Sequence, residues 1–144
     1  KEHGFRWYLI GLNEFKGKVR TYALDRIRDL QVARGILFKE ADFEKASYFK
    51  HTLGIIAPQR EPPLIKIAVQ KTQAQYLITQ PWHESQNIEQ EDAEQIVFSF
   101  RVHPTYEFKS LLLSLGKDAK VLAPESLQQE IRSEISQMLA AYPE

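Results

Sequence analysis

Residues 57–63 (APQREPP) contain three prolines, and this segment restricts the fold of the chain more than any other. Proline fixes φ and has no backbone N–H, so the segment fits neither the interior of a helix nor a central strand. The charge balance also reverses there: residues 1–62 carry 12 Lys/Arg and 8 Asp/Glu, a net of +4, and residues 63–144 carry 7 and 11, a net of −4. We therefore predict two units, residues 1–56 and 64–144, joined by a linker at 57–63.

The second unit contains alternating and helical patterns in a defined order. The predicted elements are strands at 65–69, 86–91, 96–102 and 120–123, and helices at 72–79, at 104–116 and from Pro124 onward. Their order is β-α-β-β-α-β with a terminal helix, which is the ferredoxin-like order, in which two helices cover one face of an antiparallel sheet. We therefore predict a ferredoxin-like α+β domain for residues 64–144.

The first unit begins with two stretches that alternate as strands, at 5–12 and at 19–27. Residues 13–18, which include Gly17, are predicted to connect them as a hairpin. In the second stretch, one face is predicted to carry Arg20, Tyr22, Leu24 and Arg26.

The rest of the first unit is predicted from shorter signals. Residues 30–32 have the alternation of a third strand, which would complete an antiparallel meander. Asp42 is predicted to cap a helix that ends at Gly54. The first unit is therefore expected to be mostly β.

Several classes of chemistry lack the residues that they need. The sequence has no cysteine, which excludes disulfides, thiolate zinc sites and cysteine nucleophiles. The four histidines are scattered, and no HExxH, GxSxG, Walker-type or GxGxxG sequence is present. His83 and Ser85 lie two residues apart in a polar segment, and no acid is evident that would orient them as base and nucleophile. We therefore expect no metal site, no cofactor and no enzymatic activity.

The overall composition predicts a soluble protein. The 19 basic and 19 acidic side chains cancel, so no net field would draw the chain onto duplex DNA or an anionic membrane. No apolar run approaches the roughly 20 residues of a membrane span, and no signal peptide is visible. We expect a cytoplasmic protein. Because the chain starts at Lys1 without a methionine and a strand pattern starts by Phe5, we also expect that residues before Lys1 have been removed.

Basic and aromatic side chains are concentrated in the first 28 residues. Among them are Arg6, Lys16, Lys18, Arg20, Arg26 and Arg28, interleaved with Trp7, Tyr8 and Tyr22. Guanidinium groups suit phosphate oxygens and aromatic faces suit stacked bases, so this pattern is typical of a nucleic-acid or nucleotide site. A structural interpretation is also open, with Trp7 in the core, Tyr8 and Tyr22 as a cross-strand pair, and the arginines solvated or paired with Asp25 and Asp29.

The second unit offers fewer candidates. Trp82 is predicted to pack under a loop, and His83 and Gln86 beside it could reach a neighbouring site. Arg101 is either a solvated charge or a second contact for an anion. The apolar stripe of the terminal helix is predicted to be core, although a partly exposed stripe would suit a dimer contact.

The segment RWYLIGLNEFKGKVRTYALDRI, residues 6–27, resembles the WYL domain, which is named for a Trp-Tyr-Leu tripeptide. The matching residues are Trp7, Tyr8 and Leu9, then Arg20 and Tyr22 of an Arg-x-aromatic motif, then Asp25, Arg26 and Ile27. Further on, PWHESQNI, LLLSLGKDAKVLAPESL and MLAAY are similar to the C-terminal extension that accompanies WYL domains in bacterial transcriptional regulators. These motifs cover nearly the whole chain, and their ordered series is specific.

The resemblance implies a partial Sm- or SH3-like β-barrel at residues 1–56, followed by the extension at 64–144. Family members usually carry an N-terminal winged helix-turn-helix that binds operator DNA, and the WYL domain senses a ligand, notably single-stranded DNA, or a nucleotide. No helix-turn-helix pattern occurs in residues 1–144, and by the resemblance we expect the opening strands of the barrel to lie before Lys1. The barrel is therefore expected to be incomplete, swapped between protomers, or completed by residues outside this chain.

The resemblance also assigns roles by position. Tyr8, Arg20 and Arg26 are expected to line the basic ligand cleft, with Tyr22 beside them where the family more commonly has Phe. From the extension, the further candidates are His83, Gln86 and Arg101.

These expectations combine into one hypothesis and one alternative. The hypothesis is the effector-sensing, homodimeric part of a bacterial transcriptional regulator, in which a single-stranded nucleic acid or nucleotide in the cleft allosterically controls a DNA-binding domain. Operator DNA would be contacted only through a helix-turn-helix outside this chain. The alternative is a ligand-free dimerisation and assembly module, in which the basic half of one protomer docks on the acidic half of another.

Overall fold

The computed structural model describes residues 1–13, 15–32, 34–35 and 44–142. Over these residues the fold is mixed α/β, with a three-stranded and a four-stranded antiparallel sheet. The strands are β1 (Glu2–His3), β2 (Arg6–Asn13), β3 (Lys18–Ala23), β4 (Leu64–Gln70), β5 (Asn87–Glu91), β6 (Gln95–Arg101) and β7 (Ala119–Ala123). The α-helices are α1 (Lys45–Phe49), α2 (Lys71–Thr79), α3 (Tyr106–Ser114) and α4 (Glu125–Ala140). Short 3-10 helices lie at Leu24–Arg26 and Gly116–Asp118.

The first sheet has the order β1-β2-β3 and is built around the predicted hairpin. Asn13 starts the turn, because its backbone and side-chain oxygens both accept a hydrogen bond from the Lys16 N–H, at 3.1 and 3.0 Å. Gly17 ends the turn with φ of +58°, a conformation that glycine adopts without steric cost. The described residues of this unit form an open sheet, so the Sm- or SH3-like barrel stays a prediction.

The third strand of this sheet is not at the predicted place. Residues 30–32 have no strand pairing within the described chain, and Leu30 and Val32 are 84% and 90% exposed. Asp29 has φ of +53°, so the chain turns just before them and the two-residue apolar spacing does not extend into a strand. The third strand is β1, which pairs antiparallel with β2.

The helix of the first unit is shorter than predicted. It comprises only Lys45–Phe49 and ends well before Gly54. Glu44 is its N-cap, because the Glu44 carboxylate accepts hydrogen bonds from two backbone N–H groups of the first turn. The predicted cap, Asp42, lies outside the described residues.

The second unit has the element order β-α-β-β-α-β followed by α4, in the spatial strand order β5-β6-β4-β7. The register of β4 on β6 determines its core. The fully buried opposing pairs are Ile65 with Phe100, Ile67 with Phe98 and Val69 with Ile96. Because side chains two apart on a strand point the same way, all six lie on one face of the sheet.

Three helices cover this apolar face. The core cluster includes Ala74 and Leu77 of α2, Phe108 and Leu112 of α3, and Leu127 of α4. Trp82 packs as predicted, with its ring stacked on Phe100 at 5.8 Å between centroids and edge-on to Phe108 at 5.9 Å. Among the described residues, no buried aliphatic or aromatic side chain other than that of Pro62 precedes Ile65. The apolar core therefore belongs to the second unit, and the ferredoxin-like assignment and the division at 57–63 stay predictions.

Candidate functional site

The register of the β2-β3 hairpin decides which candidate residues share a face. Gly11 lies opposite Arg20, Leu9 opposite Tyr22, and Tyr8 opposite Ala23. Directly opposed residues point to the same side of a sheet, so Arg20 and Tyr22 share a face with Leu9. Tyr8 lies on the other face. The structure thus separates Tyr8 from Arg20 and Tyr22, with which it is predicted to line one cleft.

We call the side of the hairpin with Arg20 and Tyr22 the outer face; its residues are Trp7, Leu9, Lys18, Arg20 and Tyr22. Trp7 and Leu9 are 59% and 53% exposed, although both are large and apolar. On the opposite, inner face, Tyr8 and Thr21 are half-buried, and the Thr21 hydroxyl donates to the Ile55 carbonyl at 3.4 Å. The inner face therefore packs on the rest of the first unit, and the outer face is open.

The structural interpretation of the aromatic residues fails in two respects. Trp7 is not in the core, and Tyr8 and Tyr22 do not form a cross-strand pair because they lie on opposite faces. One ion pair of the predicted kind is present, between Arg6 Nε and Asp25 Oδ2 at 3.2 Å. The Tyr22 hydroxyl accepts a hydrogen bond from Asn13 Nδ2 at 2.9 Å, which directs the Tyr22 ring along the outer face toward the hairpin turn.

The basic side chains of the outer face, Lys18 and Arg20, have no polar partner in the described parts of the chain. Within the described parts of the chain, no hydrogen bond or ion pair engages the side-chain nitrogens of Lys18 or Arg20. Arg26 is likewise exposed and unpaired there, but it lies in the 3-10 helix Leu24–Arg26 and not on a strand. The predicted shared face of four residues is wrong beyond Tyr22, because β3 ends at Ala23.

The candidates of the second unit are engaged in local structure. The Gln86 side chain accepts from the Trp82 N–H at 3.0 Å and donates to the Leu77 carbonyl at 2.7 Å, so its amide holds a loop against α2. His83 contacts Ser85, and the Arg101 N–H donates to the Ser85 hydroxyl. No hydrogen bond or ion pair joins these three candidates to the outer face over the described residues.

Two cavities flank α1, and sequence reasoning missed both. One of about 740 Å³ is lined by Gly17, Lys18, Val19, Glu44, Ser47, Tyr48, Ala57 and Gln59. The other, of about 590 Å³, is lined by Ala46, Ser47, Phe49, Lys50, His83 and Glu84. Each combines segments that are distant in the sequence, and no local pattern signals such a contact. Both volumes are in the range of small-molecule sites.

The described residues contain neither a metal-ligand cluster nor a membrane-spanning helix. Among them, no group of three or more His, Cys, Asp or Glu side chains could hold a metal ion. The helices of the described chain are too short to span a bilayer, the longest being the 16 residues of α4.

Comparison with known proteins gives two family matches. The profile of the WYL domain matches residues 2–32, and that of the WCX domain matches residues 61–139. Proteasome accessory factor B/C (PafBC) of Arthrobacter aurescens is a similar solved structure, with a TM-score of 0.38 and 20% sequence identity over 88% of this chain. The chain spans only 19% of the length of that protein. No curated protein sequence matches the chain.

Proposed function

Because this chain belongs to the WYL-domain family of transcriptional regulators, we propose that it is the ligand-sensing part of such a regulator. The ligand is a single-stranded nucleic-acid fragment or a nucleotide, bound on the outer face of the hairpin. One observation carries the assignment: uncommitted Lys18 and Arg20 lie on the same face as exposed Trp7 and Tyr22. Neither catalysis nor a cofactor is part of the proposal.

The outer face supplies the two kinds of contact that a single strand needs. The planar guanidinium of Arg20 can contact two phosphate oxygens, and Arg26, just past the end of β3, extends the basic path. Bases stack on the rings of Trp7 and Tyr22, which are diagonal neighbours across the hairpin and so about 7–8 Å apart at the backbone. Tyr8, His83, Gln86 and Arg101 lie outside this contact surface.

The bound ligand controls a DNA-binding domain that is not part of this chain. A ligand shifts an equilibrium between two arrangements only if it binds one of them more tightly. The hairpin contacts the segment after α1 through a hydrogen bond between Thr21 and Ile55. A change in the outer face on ligand binding can be transmitted to the second unit through this contact. Operator DNA is contacted only through the separate domain.

The finer fold assignments belong to the same proposal. The ferredoxin-like assignment of residues 64–144 is supported by the strand order β5-β6-β4-β7, in which every neighbouring pair is antiparallel. The partial Sm- or SH3-like barrel of residues 1–56 is supported by the antiparallel order β1-β2-β3 and by the family resemblance.

The first test is fluorescence anisotropy of a labelled single-stranded DNA oligonucleotide titrated with the chain at about 50 and about 150 mM salt. Arg20→Ala combined with Arg26→Ala is expected to weaken binding and to lower the slope of log K against log salt by about 1 for each lost phosphate contact. The matched control is Lys117→Ala with Arg132→Ala, which removes two exposed positive charges from the second unit. If the two double variants lose equal affinity, only non-specific charge is involved and the outer face is not the site.

A homodimer is the second part of the proposal, and α4 supports it. Leu127 and Ile131 of α4 pack on the core, and the same helical stripe continues as exposed Ile135, Met138 and Leu139. An exposed apolar stripe on a helix is a surface for a partner helix.

Leu139→Glu is therefore expected to shift the chain from dimer to monomer in light scattering after size exclusion, because Leu139 is 74% exposed and its replacement would place charge in the interface. Gln137→Glu adds the same charge at another exposed position of α4 and should leave the dimer intact. If the unsubstituted chain is a monomer at every concentration, the dimer and the assembly-module alternative are both excluded.

A further inference from the structure

Three histidines from distant parts of the sequence meet where the first unit and the linker contact the second unit. His51 Nδ1 lies 3.2 Å from the Arg101 carbonyl oxygen, and the His103 N–H donates to the His51 carbonyl at 2.9 Å. His83 faces the backbone of Lys50. The turn at Lys50 and His51 is thus held against the end of β6 and the loop before β5.

The hydrogen bonds around His83 determine which ring nitrogen carries a proton. The Ser85 N–H lies 3.1 Å from His83 Nδ1, and the Ser85 hydroxyl lies 2.8 Å from the same atom. A backbone N–H can only donate, so His83 Nδ1 is the acceptor and carries no hydrogen. The Ser85 oxygen in turn accepts from the Arg101 N–H at 3.0 Å. The ring hydrogen of neutral His83 is therefore on Nε2, where it can donate to the backbone of Lys50.

The third histidine is buried against the linker. His103 is 2% exposed, its ring faces the backbone of Pro58 and Arg60, and its Nδ1 has no partner among the described residues. A second proton on this ring would place a charge beside the cation of Arg60 and near His51. A buried charge without a counter-ion is strongly disfavoured.

We infer that this histidine junction, made by His51, His83, Ser85, Arg101 and His103, is a proton-sensitive contact between the two units. With neutral rings it holds the Lys50–His51 turn on the second unit. When His83 Nδ1 is protonated, the Ser85 N–H loses its acceptor, and two hydrogen-bond donors then face each other. A second proton on buried His103 is disfavoured in the same way, beside the cation of Arg60, so the junction opens in mild acid. The inference concerns how the units are joined and does not depend on the proposed ligand.

The charged groups around the junction act in both directions. Burial, followed by the influence of His51, lowers the pKa of His83, whereas the backbone of Lys50 and the carboxylate of Glu84 raise it. Burial is also the main cause that lowers the pKa of His103, and the charges of Arg60 and His51 add to it, whereas the backbone groups of Arg60 and Pro58 raise it. A separate contact, between His3 Nε2 and Glu107 Oε1 at 3.9 Å, is strengthened by protonation and not weakened by it, because it becomes an ion pair when His3 is protonated.

The direction of the pH effect follows from these shifts. A histidine whose pKa is lower in the closed junction than in the open one binds a proton more readily when open. The closed junction is therefore fully favoured above the ordinary histidine value of about 6.5 and loses stability as the pH falls through the lowered pKa values of His83 and His103.

The test is amide hydrogen exchange of the whole chain followed by NMR at about pH 7.5 and about pH 5.5, expressed as protection factors that remove the intrinsic pH dependence. The reporters are the N–H groups of Arg101 and His103, which donate to Ser85 and His51. We expect their protection to fall about tenfold or more in acid, while the amides of the β4-β6 ladder keep theirs. Equal protection at the two pH values would overturn the inference.

His83→Gln supplies the matched variant, because its amide can still donate to the Lys50 backbone but cannot titrate. It should remove most of the acid-induced loss, whereas His3→Gln should keep the loss or increase it. An unchanged loss in His83→Gln overturns the assignment to His83. The NMR chemical shifts of the His83 ring nitrogens in the unsubstituted chain provide a second test that needs no variant. They show which ring nitrogen carries the hydrogen, and a hydrogen on His83 Nδ1 at about pH 7.5 contradicts the inference.

Discussion

Phe100→Ala is expected to lower the free energy of unfolding by about 3–5 kcal/mol, the usual cost of removing a buried phenylalanine ring. Phe100 is fully buried opposite Ile65, and its ring stacks on Trp82 at 5.8 Å and meets the edge of Phe108 at 5.7 Å. The truncation leaves a cavity and removes two aromatic contacts at once. Domains of this size are usually stable by only about 5–15 kcal/mol, so the variant should be close to unfolding.

Urea denaturation followed by circular dichroism measures this effect, provided that the m-value stays unchanged. Phe15→Ala is the matched control, because Phe15 lies fully exposed in the hairpin connection and should change the stability by no more than about 0.5 kcal/mol. Equal destabilisation by the two substitutions would mean that the core is not organised around β4 and β6. A loss confined to one of two transitions would instead show that the two units unfold separately.

The second unit could be predicted from the sequence because its signals are local and agree with one another. Ile65, Ile67 and Val69 alternate with neighbours that are mostly smaller or more polar, as do their partners on β6, so each strand identifies its own core face. Proline near the start of α3 and α4 adds a further local signal. The terminal stripe is only partly core, since α4 continues past its packed residues with exposed Ile135 and Leu139.

The candidate site could be predicted only in part, because its geometry depends on register. The pair Asn13 and Lys18 closes the hairpin, and this pairing sets even-numbered residues of β2 opposite odd-numbered residues of β3. A slip of one residue in that pairing would have moved Tyr8 to the face of Tyr22 and Arg20. Composition identifies the right segment, but it cannot fix the pairing that assigns each side chain to a face.

The histidine junction was beyond sequence reasoning for a different reason. His51, His83 and His103 are separated by many residues, and their contacts are made mainly through backbone groups, which every residue possesses. No residue pattern marks such contacts in advance. The N-cap of α1 was missed as well. It is Glu44, although aspartate, the side chain of the predicted cap Asp42, is the more usual capping residue.

Trp7→Ala is expected to weaken the binding of a single-stranded oligonucleotide by about 1–3 kcal/mol, or roughly 5- to 150-fold in Kd, which is the typical worth of one stacked base. Trp7 is the largest exposed ring of the outer face and lies diagonally across from Tyr22. Tyr106→Ala is the control, since Tyr106 is an exposed aromatic residue at the start of α3 and should not affect binding. Tyr8→Phe, on the inner face, should also leave Kd unchanged.

Intrinsic fluorescence gives the decisive measurement, because Trp7 and Trp82 are the only tryptophans of the chain. In a Trp82→Phe background, the emission of Trp7 reports the outer face alone, and base stacking should quench it over the same concentrations that raise the oligonucleotide anisotropy. Binding without any change in Trp7 emission would place the ligand elsewhere, with the two cavities beside α1 as the next candidates. In that case exposed Trp7 and Leu9 would be packing residues, because a closed barrel buries the apolar face of its strands.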